Sequence, residues 1–294
     1  MNLNQIIIVP KLSKFEYDLK RQNITEKELI KQYKKYKIDY NKIIKSHERQ
    51  KASLNSLKEI FPEKQFILRD KISIDVLKKA KLVISLGGDN HFQYVSHFID
   101  NQFILGVNSD PLTSDGYLTS MDAKKLIKNL KKIEKNNYKI KNWTRLKINI
   151  NGKDIETLAT SELFIGELNR EYMSRHILEC NGLREEQKCA GLIISTGRGS
   201  TGWYSSASRY LLRINPIFSP TEKFFRFIVT EPYNGRILKY KLLNGTVKQK
   251  EFINIYSLND TKGIISIDSL EDYDFTYGNR ATISIGKPLK VTEI

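Results

Sequence analysis

The run Leu82-Val83-Ile84-Ser85-Leu86 is apolar at almost every position and stops abruptly at Gly87-Gly88-Asp89. A strand without polar alternation offers no face to water, so it belongs inside a sheet that is covered on both sides. Ile6-Ile7-Ile8-Val9, Gln65-Phe66-Ile67-Leu68 and Phe103-Ile104-Leu105-Gly106-Val107 read as further strands. Helical segments separate them. Thr25-Glu26-Lys27-Glu28 has the spacing of a capping box before an apolar side of Leu29, Ile30 and Tyr33. A second helix is expected from about Tyr40 to Leu57, and Asp75 is placed to cap the helix that contains Val76 and Leu77. Strands and helices in alternation imply a parallel sheet with helices on its faces. Such sheets bind ligands beyond the carboxyl ends of their strands, which is where Asp89 and Asn108 fall.

The texture changes after a helix expected over Ala123 to Lys135, whose Leu126, Ile127, Leu130 and Ile133 form one apolar side. Leu146, Ile148 and Ile150 alternate with polar residues and run into Asn151-Gly152, the strongest short hairpin signal. Asn181-Gly182, Asn234-Gly235 and Asn244-Gly245 repeat it, and no Asn-Gly occurs earlier. We therefore expect an α/β domain over residues 1–122 and a mainly β domain over 123–294. The second should be an antiparallel sandwich or barrel-like body, interrupted by a helix that starts near Gly202 and covers Tyr204 to Leu211. The last segment is expected to pack back on the first domain.

At 294 residues the chain has room for two such domains. It runs from Met1-Asn2-Leu3-Asn4 directly into a strand, so no signal or transit peptide is expected, and no apolar stretch approaches the roughly 20 residues a bilayer span needs. Cys180 and Cys189 make no disulfide framework, although they flank the Asn181-Gly182 hairpin and are close enough in sequence to approach one another. No His/Cys spacing resembles a zinc site, and no metal ligands are assigned. The expected setting is reducing and cytoplasmic, with no membrane partner. The net charge of +16 comes largely from lysines scattered on polar helix faces, such as Lys124, Lys125, Lys128, Lys131, Lys132 and Lys135. We read that as a solvated surface with a mild pull on anionic small molecules, and expect no nucleic-acid partner.

Two loops have the make-up of phosphate sites. Glycines let a backbone approach a phosphate with its N–H groups free, and an aspartate at a strand's end can orient a hydroxyl. Gly87-Gly88-Asp89 has both features. The second loop, Ser195-Thr196-Gly197-Arg198-Gly199-Ser200-Thr201-Gly202-Trp203, follows the apolar strand Leu192-Ile193-Ile194 and precedes a helix. That arrangement points N–H groups and hydroxyls at an anion. It lacks the Gly-Lys-Ser/Thr ending of a Walker loop.

These two loops, together with Gly106-Val107-Asn108-Ser109-Asp110-Pro111, Gly116-Tyr117-Leu118 and Ser161-Glu162-Leu163-Phe164-Ile165-Gly166-Glu167, resemble the NAD kinases in the order they occur. The family's marks are G-G-D-G-T, a G-x-N segment, an Asn-Glu pair and a T-P-T-G-S-T-A-Y-like loop. The resemblance is closest to the mitochondrial-type members, which share the Asn-x-Asp-Pro variant, a glycine and a tryptophan in the last loop, and the segment Lys14-Phe15-Glu16-Tyr17. Thr230-Glu231-Pro232 and Ile267-Asp268 also fit. The resemblance implies an NAD kinase fold and transfer of the ATP γ-phosphoryl group to the adenosine ribose 2′-hydroxyl of NAD or NADH, giving NADP(H). It further implies Mg²⁺ accompanying ATP, and a homodimer.

Asp89 matches the catalytic aspartate. Phosphoryl transfer is loose and asks more for orientation of the hydroxyl than for its early deprotonation, which suits an ordinary carboxylate. By the same resemblance Gly87 and Gly88 line the phosphate turn and Asn108 the nucleotide site. Glu162, with Ser161, holds dinucleotide hydroxyls. Lys188 lies near phosphates, and Thr196, Gly199, Ser200 and Thr201 line the adenosine and phosphate region.

Several positions depart from the pattern. Asn90 stands for a glycine, and asparagine is the side chain that best tolerates a left-handed turn. His91 stands for a threonine and either donates to a phosphate, crowds the donor's place, or fills the start of a helix. Ser161 stands for the asparagine of the Asn-Glu pair, Arg198 brings a cation that can contact phosphate, and Ala190 stands where many bacterial members have an acid. Three readings stay open: an active NAD(H) kinase, a dinucleotide-binding protein that has lost phosphoryl transfer, and a kinase with another acceptor. Retention of Asp89 and Glu162 favours the first. His47, His97 and His176 suggest no metal or triad, and Tyr33, Tyr36 and Tyr40 read as packing or a subunit contact.

Overall fold

The computed structural model describes residues 1–294 except 115, 210–215, 234 and 236–238. The far end of the helix expected to reach Leu211, and the Asn234 of one Asn-Gly pair, lie outside the described residues. The chain forms two compact units, Met1–Ile140 with Lys290–Ile294, and Lys141–Leu289. No helix among the described residues is long and apolar enough to cross a membrane.

In the first unit, β1 (Ile6–Pro10) is followed by three helices, α1 (Lys14–Gln22), α2 (Glu26–Lys35) and α3 (Tyr40–Lys58). Ser13 and Thr25 close capping boxes with Glu16 and Glu28, which fixes where α1 and α2 begin. Then come α4 (Ile74–Leu77), β2 (Leu82–Leu86), α5 (Asp89–Ser96), β3 (Phe103–Asn108), β4 (Met121–Asp122) and α6 (Ala123–Glu134). β1, β2 and β3 are parallel neighbours, and the chain's last strand adds to β3 in parallel through Lys290 opposite Phe103 and Val291 opposite Ile104. All five residues of β2 are buried, as its apolar run requires. Ile6, Ile8, Ile84, Leu105 and Val107 from the sheet pack with Leu57, Leu126 and Ile133 from helices.

Three expectations are corrected here. Gln65–Leu68 is not a strand: Glu63–Gln65 is a 3₁₀ turn, and Phe66 makes a single bridge to Ile8. The Gln65 side chain takes over the pairing, donating to the carbonyls of Leu3 and Ile6 at 2.6 and 2.7 Å. α4 is capped by Ser73, whose Oγ accepts from the N–H of Val76, while Asp75 lies inside the first turn and pairs with Lys78. The units divide at 140/141 rather than near residue 122, because the apolar side of α6 is buried in the first unit's core.

β5 (Lys139–Trp143) carries the chain from the first unit to the second. The second unit then lays down β6 (Leu146–Ile150), β7 (Lys153–Asp154), β8 (Glu162–Glu167), β9 (Ser174–Cys180), β10 (Leu183–Cys189) and β11 (Gly191–Ser195). After α7 (Trp203–Ser208) come β12 (Phe224–Thr230), β13 (Asn244–Lys248), β14 (Phe252–Ser257), β15 (Gly263–Ile267), β16 (Glu271–Asp274) and β17 (Arg280–Ile285). β18 (Leu289–Glu293) is the last strand already described. Among the described residues the second unit holds two six-stranded sheets, ordered β10-β9-β14-β17-β6-β7 and β13-β12-β11-β8-β15-β16. Their strand pairs are antiparallel. Side chains from both share one core, including Ile148, Leu178 and Ile255 from the first and Ile165, Ile194 and Phe227 from the second, so the unit is a sandwich. Tyr204 of α7 covers Phe164, Ile193, Ile228 and Ile264 on the outer face of the second sheet. Burial on both faces explains why Leu192-Ile193-Ile194 reads as a continuous apolar run.

Asn151-Gly152 and Asn181-Gly182 turn hairpins with both residues left-handed, φ 52° and 84° in one and 51° and 77° in the other. Asn244-Gly245 instead opens β13, paired with Ile228 and Phe227. The hairpin register also settles the cysteines. Cys180 faces Leu183 and Cys189 faces Ser174, so the two sit about 20 Å apart along the strands, beyond any disulfide. Both are free and buried, and burial pushes the Cys189 thiol up to about 12.

Candidate functional site

In the first unit the site begins where β2 ends. Gly88 is the N-cap of α5 and contributes no side-chain bond, so Asp89 opens the helix directly above the sheet's carboxyl end. A Cβ on Gly87 would come within 2.7 Å of the His91 ring, which lies tight beneath it. His91 is 1% exposed and bonds the carbonyl of Val9 through Nε2 at 2.8 Å. Burial, with the cations Arg69 and Lys11 nearby, lowers its pKa to about 4 despite the Val9 bond, so the ring is neutral and Nε2–H donates. It thus fastens α5 to β1 at the start of the helix, with its bonding nitrogen turned away from solvent. Asn90 is exposed in the first turn of α5 and is not among the residues with positive φ, so no left-handed turn is required of it.

The Asp89 carboxylate is half-buried and accepts two backbone N–H groups, from Leu118 on Oδ1 at 2.7 Å and from Tyr117 on Oδ2 at 3.1 Å. Asn108, at the end of β3, is buried and shapes the segment leading there: Nδ2 donates to the carbonyl of Ser114 at 2.9 Å and Oδ1 accepts from Asp110 N–H at 3.0 Å. Asp110 in turn receives Arg49 on both oxygens, at 2.7 and 3.1 Å, with Ser46 and Thr113 adding hydroxyls. Burial works against its charge, but these donors outweigh it and hold the carboxyl down at about 2. Lys11 follows β1, its N–H bonded to the carbonyl of Leu86. Burial and Arg69 lower its pKa, and Asp110 opposes them.

In the second unit the organising residue is Asp268, which sequence reading noted only as part of the resemblance. It is buried, with φ at 54°, and its carboxylate accepts the N–H groups of Thr160, Ser161 and Glu162 at 2.9, 2.8 and 2.9 Å. Those bonds fix the chain as it enters β8. Thr196 closes the other side. Its N–H donates to the carbonyl of Ser161 at 2.9 Å, and its Oγ1 donates to Thr160 at 2.7 Å while accepting from Arg198 N–H at 3.1 Å. Gly199 is then pressed so close that a Cβ would lie 2.3 Å from the Ser161 carbonyl and 2.7 Å from Glu162 Oε2.

Glu162 is therefore roofed by the loop. Burial, and secondly the charge of Asp268, push its pKa up to about 8, so at neutral pH the carboxyl is mostly protonated. It can therefore donate one hydrogen bond and accept others. Ser161 is held through its backbone rather than its hydroxyl. Ser200 is buried, bonding Gly197 and Phe218, and so braces the loop. Thr201 is exposed, and the Arg198 guanidinium lies 4.9 Å over the Trp143 ring. Lys188 stands on edge strand β10 of the other sheet, opposite Arg175, with its backbone bonded to Tyr240 and Tyr233.

Each unit thus gathers part of the expected set: Gly87, Gly88, Asp89 and Asn108 in the first, and Ser161, Glu162, Thr196 and Gly199 in the second. His91 serves the fold, and Lys188 stands apart from the Glu162 group within its unit. Arg49 had no sequence signal, since it reaches Asp110 from a helix 61 residues earlier. Among the described residues no group of three or more His, Cys, Asp or Glu is placed to hold a metal ion.

No protein-family model matches the chain. It is 24% identical over 272 residues to a protein of Oryza sativa subsp. japonica named probable NADH kinase, a match covering 81% of this chain and 79% of that one. It is 29% identical over 151 residues to an NAD kinase of Chloroherpeton thalassium, 50% of each chain. It is 32% identical over 140 residues to an NAD kinase of Geotalea daltonii, 46% of this chain and 48% of that protein. Matches to these two bacterial relatives span about half their length. Among solved structures, the fold matches an NAD kinase from Archaeoglobus fulgidus in complex with ATP with a TM-score of 0.64 at 19% identity, over 97% of this chain and 92% of that one. It also matches yeast NADH kinase complexed with NADH with a TM-score of 0.64 at 16% identity, over 78% and 67%.

Proposed function

We propose that the chain is a member of the NAD kinase family and that it transfers the γ-phosphoryl group of ATP to the 2′-hydroxyl of the adenosine ribose of NAD or NADH, giving NADP(H). The observation that carries this reading is the state of Asp89. Each of its oxygens accepts one backbone N–H, which fixes the carboxylate plane and leaves a second lone pair on each oxygen for a hydroxyl. A carboxylate so held can aim a ribose hydroxyl at a phosphorus, the principal demand of a loose phosphoryl transfer. Mg²⁺ accompanies ATP in this reading as the counter-ion of the donor's phosphates.

In the second unit, Glu162 holds ribose hydroxyls as donor and acceptor together, and Thr196, Gly199, Ser200 and Thr201 line the adenosine and phosphate region. Lys188 and Arg198 are assigned to phosphate by the resemblance alone. We read the enzyme as a cytoplasmic homodimer, to be checked by fractionation and sedimentation. The test of the activity is direct. Purified protein is incubated with NAD or NADH, ATP and Mg²⁺, and NADP(H) is measured. Dinucleotide binding without product from either acceptor would replace this reading with a binding-only protein.

A further inference from the structure

We infer that the Arg49–Asp110 ion pair is a positioning device for Asp89, acting through Asn108 and its contacts with Ser114 and Gly116. The inference rests on the reading of Asp89 as the group that faces the acceptor hydroxyl. Arg49 grips Asp110 with Nε on Oδ1 and Nη2 on Oδ2, a two-point contact that fixes the carboxylate in its plane. The Asp110 main chain then holds Asn108, by donating its N–H to Asn108 Oδ1. Asn108 passes the restraint on, with Nδ2 bonded to the carbonyl of Ser114 and lying 2.6 Å from where a Cβ on Gly116 would sit. Gly116 is followed at once by Tyr117 and Leu118, whose N–H groups are the ones that hold Asp89. These contacts lead from α3 by way of Asp110 and Asn108 toward the residues that hold Asp89, all within the first unit.

Each contact also has a purely architectural reading, in which Arg49 only ties α3 to the sheet. The two roles differ in what they predict. An architectural tie sets how much protein is folded. A positioning tie sets the angle of the Asp89 carboxylate in the folded protein, and misplacement by an ångström at such a group costs on the order of 10²-fold in rate.

Arg49→Ala should therefore lower kcat for NADP(H) formation about 10- to 100-fold while KM for the dinucleotide changes less than about twofold. Hydrogen exchange at the Tyr117 and Leu118 amides should quicken in the same variant, with the rest of β3 and α5 protected as before. Asp110→Asn should behave alike, and the double variant should cost no more than either alone, as expected of one coupled device. Arg49→Lys, which keeps the charge and loses the fork, should recover part of the turnover. Unchanged exchange at Tyr117 and Leu118 in Arg49→Ala would overturn the inference, as would a loss of turnover accounted for by the fraction unfolded. Should the wild type form no NADP(H), the functional reading falls, and the exchange measurement still decides whether Arg49 restrains the segment that holds Asp89.

Discussion

Asp89 and Glu162 are both carboxyl side chains held in different surroundings. Asp89 accepts two backbone N–H groups and has the means to orient a hydroxyl. Asp89→Asn should lower turnover by about 10²–10⁴-fold, the usual worth of such a group, with dinucleotide affinity changed little. Steady-state kinetics beside equilibrium binding will check it. Glu162 holds its proton until about pH 8, whereas an unfolded glutamate loses it near 4.5. Between those values the folded state binds the extra proton, so this residue's contribution to stability is whole below about 4.5 and declines as pH rises through about 8. The unfolding midpoint should fall over that interval in the wild type and fall less in Glu162→Gln. Asp110 runs the other way. Its contribution is present above 3.8 and is lost as pH falls through about 2, a loss that Asp110→Asn should remove from the acid limb of an unfolding curve.

At the level of elements, the loop between β11 and α7 is shaped by one close approach. Gly199 lies against Ser161 and Glu162 with no room for a methyl group. Gly199→Ala should lift the loop, cost about 1–3 kcal/mol by overpacking, and weaken dinucleotide binding more than it weakens the fold. Calorimetric binding and thermal unfolding of the same variant will separate the two effects. Elements also mark how far the sequence could be read. Asn151-Gly152 announced its hairpin because two left-handed residues leave the chain little else to do. Asn244-Gly245 has the same letters and opens a strand, since its place is set by pairing with β12, which no local pattern reveals. The apolar side of α6 was plain from its spacing, but not which core it would enter. Asp89, Asn108, Glu162 and the Gly199 loop could be singled out by family resemblance. Arg49 could not, because a side chain that acts from 61 residues away leaves no mark beside the residue it serves.

Across the whole molecule, the chain order and the units do not coincide. The first unit consists of Met1–Ile140 and the last five residues, Lys290–Ile294, which lie beside β3 in its parallel sheet. Val291 is nearly fully buried there. Ending the chain after Leu289 should destabilise the first unit by about 2–5 kcal/mol, the scale of removing buried apolar side chains together with a run of ladder bonds. Hydrogen exchange should show the loss concentrated in β3. A fragment that stops at Ile140 should show the same weakness.

That arrangement has a consequence in time. A ribosome makes the first unit's helices and the strands β1 to β3 early, and then everything in the second unit, before it releases the five residues that finish the first sheet. During that interval the Phe103–Ile104 part of β3, which β4 does not reach, lacks its native neighbour, an unpaired stretch of the kind that invites pairing with other chains. The nascent chain therefore carries this open stretch all through the making of the second unit, and chains that stop before Lys290 should be the ones that aggregate.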